Sequence, residues 1–212
     1  MTTRRRVFHR EPEEVRRSAL ISATLDAVAE LGLPGATVRE VSKRAEVTPG
    51  LIRRYFLSKD RLMEAAYAAF VEEVTGAAAG QVGDGPPRAR LAGLVRASCR
   101  EPVASKRHIA IWSAFIGAAN IDAGMARIHR EGYRAFRLLL EEIIADLHAE
   151  AGSPASPAII HRQAIAANAV IDGIWLEVSL EGDAFSHIDV VDLALDSILA
   201  ILGLPRGQGD AP

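Results

Sequence analysis

The chain has 212 residues, 49% of them apolar and 25% charged, with a net charge of −2. It holds no apolar run of about 18 residues or more and no apolar segment behind its charged N-terminus, so neither a membrane span nor a secretory leader is expected. The lone Cys99 excludes an internal disulfide and fits a reducing cytoplasm. The six histidines are scattered without metal-ligand spacing, and there is no phosphate loop and no Ser/His/Asp arrangement. No metal, no cofactor and no enzyme are therefore expected.

Arg4, Arg5 and Arg6 open the chain as a basic arm. A first helix is predicted from Pro12 or Glu13 to Leu31, acidic in its first turn and stopped by Gly32, with a stripe of Ile21, Leu25 and Val28. Thr37 to Lys59, TVREVSKRAEVTPGLIRRYFLSK, then holds two short helical patterns. Thr37 and Glu40 have capping-box spacing, and Val41 and Ala45 face inward while Arg39, Lys43 and Arg44 face out. Glu46 and Val47 break the pattern. Thr48 as N-cap and Pro49 at the first helical position start the second helix, which Ile52 and Phe56 anchor. Ser58 and Asp60 begin the next.

Two helices joined by so short a turn can form a helix-turn-helix whose second helix enters the DNA major groove. Gly50 permits close backbone approach. The hydroxyls of Thr37, Thr48 and Tyr55, the helix N-terminus through Leu51, and Lys59 suit phosphate oxygens. Arg53 and Arg54 can pair with guanine O6 and N7, and Pro49 can touch a thymine methyl. An ordinary helical hairpin with solvated arginines has the same spacing, and charge helps to choose. Residues 1–61 carry thirteen Lys and Arg against eight Asp and Glu, a net +5, whereas the remainder carries twelve against nineteen, a net −7. The positive field thus surrounds the helix-turn-helix, as phosphate neutralisation requires. The arm can track the DNA backbone, or it can simply be solvated.

The helix from Ser58 places Leu62, Ala66, Phe70 and Val74 four residues apart, then fades into GAAAGQVGDGPP. That Gly/Pro segment is the clearest internal break, but we divide the chain at the start of this helix, into a basic arm and helix-turn-helix over 1–57 and a helical ligand-binding and dimerisation domain over 58–212. Further helices are predicted at 87–99, 104–119, 123–150, 157–181 and 187–202, with SPASP separating the third and fourth. No strand pattern competes, so the fold class is all-α. The last helix, with Ser186 and Asp189 as a capping pair, repeats Ile188, Val191, Leu195, Ile198 and Leu202 and ends at Gly203 and Pro205. That stripe can pack on its own chain, or join the preceding helix in an intermolecular four-helix bundle.

Eleven aromatic residues exist, and Trp112, Phe115, Tyr133, Phe136 and Trp175 fall in the middle and late helices. Asp172 stands in an otherwise apolar stretch, where a buried carboxylate needs a partner such as an arginine. Aromatic rings with a carboxylate bind quaternary ammonium ions, and the same residues at helical spacing also make ordinary core. Trp112, Phe115, Tyr133, Asp172 and Trp175 are the candidate ligand-binding residues.

Residues 13 to 70, with the long first helix, ATVREVSKRAEV, TPGLIRRYF and SKDRLMEAA, resemble the DNA-binding domain of the TetR family of bacterial repressors. WSAF at Trp112 to Phe115 and IDGIWLEVSLEG at Ile171 to Gly182 resemble the choline-responsive BetI group within it. The family resemblance implies a homodimer through the last two helices and a partly palindromic double-stranded operator. It also implies a rigid fourth helix that transmits binding of a small-molecule effector and releases DNA. The group resemblance implies choline. That group carries a Ser-His pair where this chain has Arg53 and Arg54, so its operator is expected to differ. A repressor of efflux or catabolic genes that senses a lipophilic molecule, and a DNA-binding module without a ligand, remain the alternatives.

Overall fold

The computed structural model describes residues 13–180 and 188–205, and among them the chain is all-helical. Its order is α1 (Glu13–Gly35), α2 (Val38–Arg44), α3 (Pro49–Phe56), α4 (Lys59–Ala79), α5 (Pro87–Cys99), α6 (Lys106–Ala119), α7 (Ala123–Glu150), α8 (Pro157–Leu180) and α9 (Val190–Leu202). The Arg4–Arg6 arm and Ser186 lie outside the described residues.

Capping side chains set most of the boundaries. The Oγ1 of Thr37 accepts from the Glu40 N–H at 3.2 Å, Ser58 accepts from Arg61 and Ser105 from His108. Each satisfies an amide that the first turn leaves without an intrahelical acceptor. The reciprocal half of the expected capping box is absent, because the Glu40 carboxylate instead accepts from Arg44 Nε at 2.8 Å, and Arg44 also reaches Glu30 at 2.7 Å. A doubly paired arginine holds the carboxylate more strongly than one backbone amide does.

Two other boundaries move. Helical dihedrals fail at Gly32 (φ 67°, ψ 176°), where the stop was expected, but the chain coils again through Pro34 to Gly35. The last helix starts at Val190 rather than 187 because Asp189 is itself the N-cap, its Oδ1 accepting from Val191 and Asp192. Elsewhere α5 and α7 have the predicted limits, α6 begins two residues late, and α8 runs to Leu180.

Two buried cores result. The first joins α1 to α4 with α6 and the start of α7: Leu20, Leu25, Val28, Val41, Ile52, Phe56, Tyr67, Phe70, Ile111 and Phe115 are all buried in it. The second joins the end of α4 to α5, α7, α8 and α9 around Leu91, Leu94, Leu140, Ile144, Ile171 and Ile198. Helix α4 belongs to both, contributing Leu62 to Val71 to one and Ala78 to the other. It packs most heavily on α7, where Gly132 admits the Val71 side chain so closely that any Cβ there would overlap Val71 Cγ1. A rod shared by two close-packed cores carries displacement from one to the other.

Candidate functional site

The α2–α3 pair is held by its inner faces. Val41, Ser42, Ile52 and Phe56 are buried, and the turn between the helices closes through Glu46 in a left-handed conformation (φ 53°), with the Val47 N–H donating to Ser42 O at 2.9 Å. Arg17 of α1 pins the end of α3. Its guanidinium sits 4.4 Å from the Phe56 ring centroid and donates to Tyr55 O. Thr37, Thr48, Pro49, Gly50, Arg53 and Arg54 are exposed, while Leu51, Tyr55 and Lys59 are half-buried. All nine predicted residues therefore lie on α3 or at the helix starts flanking it.

Two details bear on what this face can do. Thr48 occupies the N-cap position but makes no capping hydrogen bond, so its hydroxyl is left for an outside acceptor. A Cβ at Gly50 would meet nothing within 4 Å, so no residue described in this chain requires glycine there. With two arginines, free hydroxyls and a helix N-terminus on one face, the surface offers phosphate and base-edge donors together.

The aromatic residues divide. Trp112 Nε1 donates to Tyr133 Oη at 2.7 Å, and the Trp112 and Trp175 rings meet edge to face at 5.6 Å. Trp112, Tyr133, Asp172 and Trp175 line a small cavity of about 40 Å³, walled also by Phe70 and Val74 of α4, Phe136 of α7 and Asn168 of α8. Phe115 is not among its walls: fully buried, it stacks on Tyr67 at 4.6 Å. Three residues along α6 from Trp112, it turns toward α4.

Asp172 accepts from Asn168 Nδ2 at 2.8 Å, so its direct partner is an amide four residues earlier rather than the expected arginine. Burial pushes its carboxyl up to about 6, against the Asn168 bond and the more distant positive charge of Arg137. Asn168 was missed in the sequence, although an amide one turn from a carboxylate on an apolar helix is a readable signal. Tyr67 and His129 were missed as well. Their 2.9 Å hydrogen bond joins α4 to α7, and the His129 ring packs at a tilt, centroids 4.2 Å apart, on Tyr133, a cavity wall.

A larger groove of about 620 Å³ lies between α1, α3, α4 and α7. It is open to solvent, edged by Arg17, Arg61, Glu64, Glu72, Arg127 and Glu131, and touches neither tryptophan. The smaller cavity is the stronger ligand candidate because it is less open than the groove and brings Asp172 and Asn168 among aromatic rings.

A helix-turn-helix mounted on a helical body defines a DNA-binding transcriptional regulator. Residues 20–66 match the model of bacterial regulatory proteins of the tetR family, and residues 87–203 match the C-terminal domain of BetI-type transcriptional repressors. The HTH-type transcriptional regulator BetI of Burkholderia thailandensis is 31% identical over 195 residues, covering 91% of this chain and 96% of that protein. Its counterpart in Paraburkholderia phymatum is 31% identical over 191 residues, covering 89% and 94%. A proposed transcriptional regulator from Pseudomonas aeruginosa PAO1 superposes with a TM-score of 0.80 at 29% identity, over 92% of each chain. One from Saccharomonospora viridis, in complex with choline, superposes at 0.71 with 14% identity, over 90% of this chain and 97% of the other. The chain belongs to the TetR family of transcriptional regulators and carries a BetI-type C-terminal domain; it is a regulator and not an enzyme. Among the described residues no helix is long and apolar enough to cross a membrane.

Proposed function

We propose that this protein is a cytoplasmic one-component repressor that binds a partly palindromic operator as a homodimer and is released by choline or another small organic cation. Arg53 and Arg54 read base edges. Thr37, Thr48, Pro49, Gly50, Leu51, Tyr55 and Lys59 fit α3 against the groove and its phosphates. Residues 1–57, joined by Lys59 at the start of α4, supply the DNA contacts, and the rest of 58–212 the ligand and dimer contacts. This is a division of labour rather than of packing, because the first core runs on through α4 and α6.

The observation that carries the ligand reading is a carboxylate, Asp172, set among the rings of Trp112, Tyr133, Phe136 and Trp175. Rings attract a quaternary ammonium through their quadrupole, and the carboxylate supplies the counter-charge where little water screens it. The likeness in fold to a choline-bound regulator supports the same class of ligand. At about 40 Å³ the cavity has room for only a few waters, so a larger cation must part its walls. Helix α4 is one of those walls, and it also carries Leu62 and Phe70 into the core that supports α3. Filling the cavity therefore moves the support of the recognition helix.

The dimer reading rests on α8 and α9. Ile165, Leu176 and Leu180 of α8 and Leu193 and Ile201 of α9 are exposed and apolar, on the outer sides of helices whose other faces are buried. A two-fold pairing of these faces covers them and sets two α3 helices about 34–36 Å apart. The deciding experiment measures binding to DNA from upstream of the protein's own gene against random DNA at physiological salt, with and without choline. Selective binding that choline weakens supports the reading, and equal binding to both DNAs overturns it.

A further inference from the structure

Two buried polar atoms at the cavity are without hydrogen-bond partners among the described residues: Trp175 Nε1 and Asn168 Oδ1. Trp175 is 5% exposed and Asn168 8%, and both side chains line the cavity. The orphaned Asn168 oxygen follows from its other bond, since Nδ2 donates to the Asp172 carboxylate and the carbonyl oxygen must then point elsewhere. One atom is a donor in need of an acceptor, and the other an acceptor in need of a donor. Their residues stand two helical turns apart on one face of α8, on either side of Asp172, and both line the same small cavity.

A bare tetraalkylammonium ion answers neither demand, and a carboxylate-bearing cation answers only the donor. A hydroxyl is the smallest group that accepts from one partner while donating to another. Resting on the cation-binding reading above, we propose that Trp175 and Asn168 make the cavity selective for cations that carry a hydroxyl. The hydroxyl oxygen accepts from Trp175 Nε1, its proton is directed to Asn168 Oδ1, and the charged nitrogen lies against Asp172 and the rings. Trp175 thereby has two separable roles, an aromatic wall through its ring and a specificity determinant through its N–H.

The test uses two probes of nearly equal size, choline and propyltrimethylammonium, in which a methyl replaces the hydroxyl. Calorimetric binding is measured on the full-length wild type and on Trp175→Phe, which keeps an aromatic wall but loses the N–H donor along with part of the indole, so the readout is the preference between the two probes rather than either affinity alone. A site whose buried polar groups are left unpaired by the wrong ligand discriminates strongly, so wild type is expected to favour choline by about tenfold or more. Trp175→Phe is expected to cut that preference at least about threefold while still binding the alkyl cation. Equal wild-type affinities for the two probes overturn the hydroxyl assignment and leave cation binding intact. A preference unchanged in Trp175→Phe overturns the role of Trp175. Binding of neither probe to wild type defeats the cation reading itself. The wild-type comparison decides the hydroxyl question even if the variant does not fold.

Discussion

Tyr67 Oη lies 2.9 Å from His129 Nδ1, tying α4 to α7 at a point where the His129 ring also packs against Tyr133 of the cavity wall. Tyr133 in turn receives the Trp112 N–H. A contiguous line of contacts therefore runs from the cavity through α7 to α4, and Tyr67 ends it inside the core that supports α2 and α3. Tyr67→Phe keeps the stacking on Phe115 and removes only the hydrogen bond. It is expected to leave operator affinity without ligand within about threefold of wild type. The loss of operator affinity caused by saturating choline should shrink, by a share of a coupling of about 1–3 kcal/mol. Operator titrations with and without choline measure both.

Asp172 predicts a pH dependence with a definite sign. Burial raises its folded-state carboxyl from an ordinary 3.8 to about 6, so the site holds its negative charge above pH 6 and loses it below. Cation affinity is expected to fall as pH drops from 7 to 5, and Asp172→Asn should bind weakly with that pH dependence removed. For folding the sign is opposite. A raised carboxyl contributes stability that is full below about 3.8 and lost as pH rises through about 6. Asp172→Asn should therefore unfold at a higher temperature than wild type at pH 7, and by a smaller margin at pH 5. Thermal melts at the two pH values check this.

Gly50 separates packing from contact. Because a Cβ there meets nothing in the chain, Gly50→Ala is expected to leave stability unchanged or raise it by up to about 1 kcal/mol, as alanine in a helix should. Operator affinity should nevertheless fall if the α3 backbone approaches DNA closely. A stable variant with undiminished operator binding would remove Gly50 from the interface.

Leu57, 79% exposed, closes α3 in a tight three-residue turn with φ 67° and ψ −42°, the Ser58 N–H donating to Phe56 O at 2.8 Å. That conformation strains any residue with a Cβ, and here the side chain gains no burial in return. Leu57→Gly is expected to raise the melting temperature, corresponding to about 0.5–1 kcal/mol, despite the greater freedom glycine has when unfolded. A lower melting temperature would show that the turn is not strained.

The helix order, most of the caps and the helix-turn-helix were legible in the sequence, because they depend on residues within one or two turns of each other. Thr37, Ser58 and Asp189 cap amides two or three residues on in the chain, Pro49 has no N–H to satisfy at the first helical position, and Ile52 and Phe56 share a face by periodicity alone. The capping box failed because Arg44, one turn along α2 and paired also with Glu30 of α1, took the Glu40 carboxylate. The candidate cavity was legible only in part. Helical spacing marked Trp112 and Phe115 alike, but Phe115 meets Tyr67 of α4 inside the first core while Trp112 meets Tyr133 and Trp175, so one ring fills a core and the other lines the cavity. Periodicity fixes which residues share a helix face, whereas which helix meets that face depends on packing between segments far apart in sequence. Tertiary structure alone therefore decided that the Asp172–Asn168 pair lies beside two tryptophans, and that α4 serves both cores.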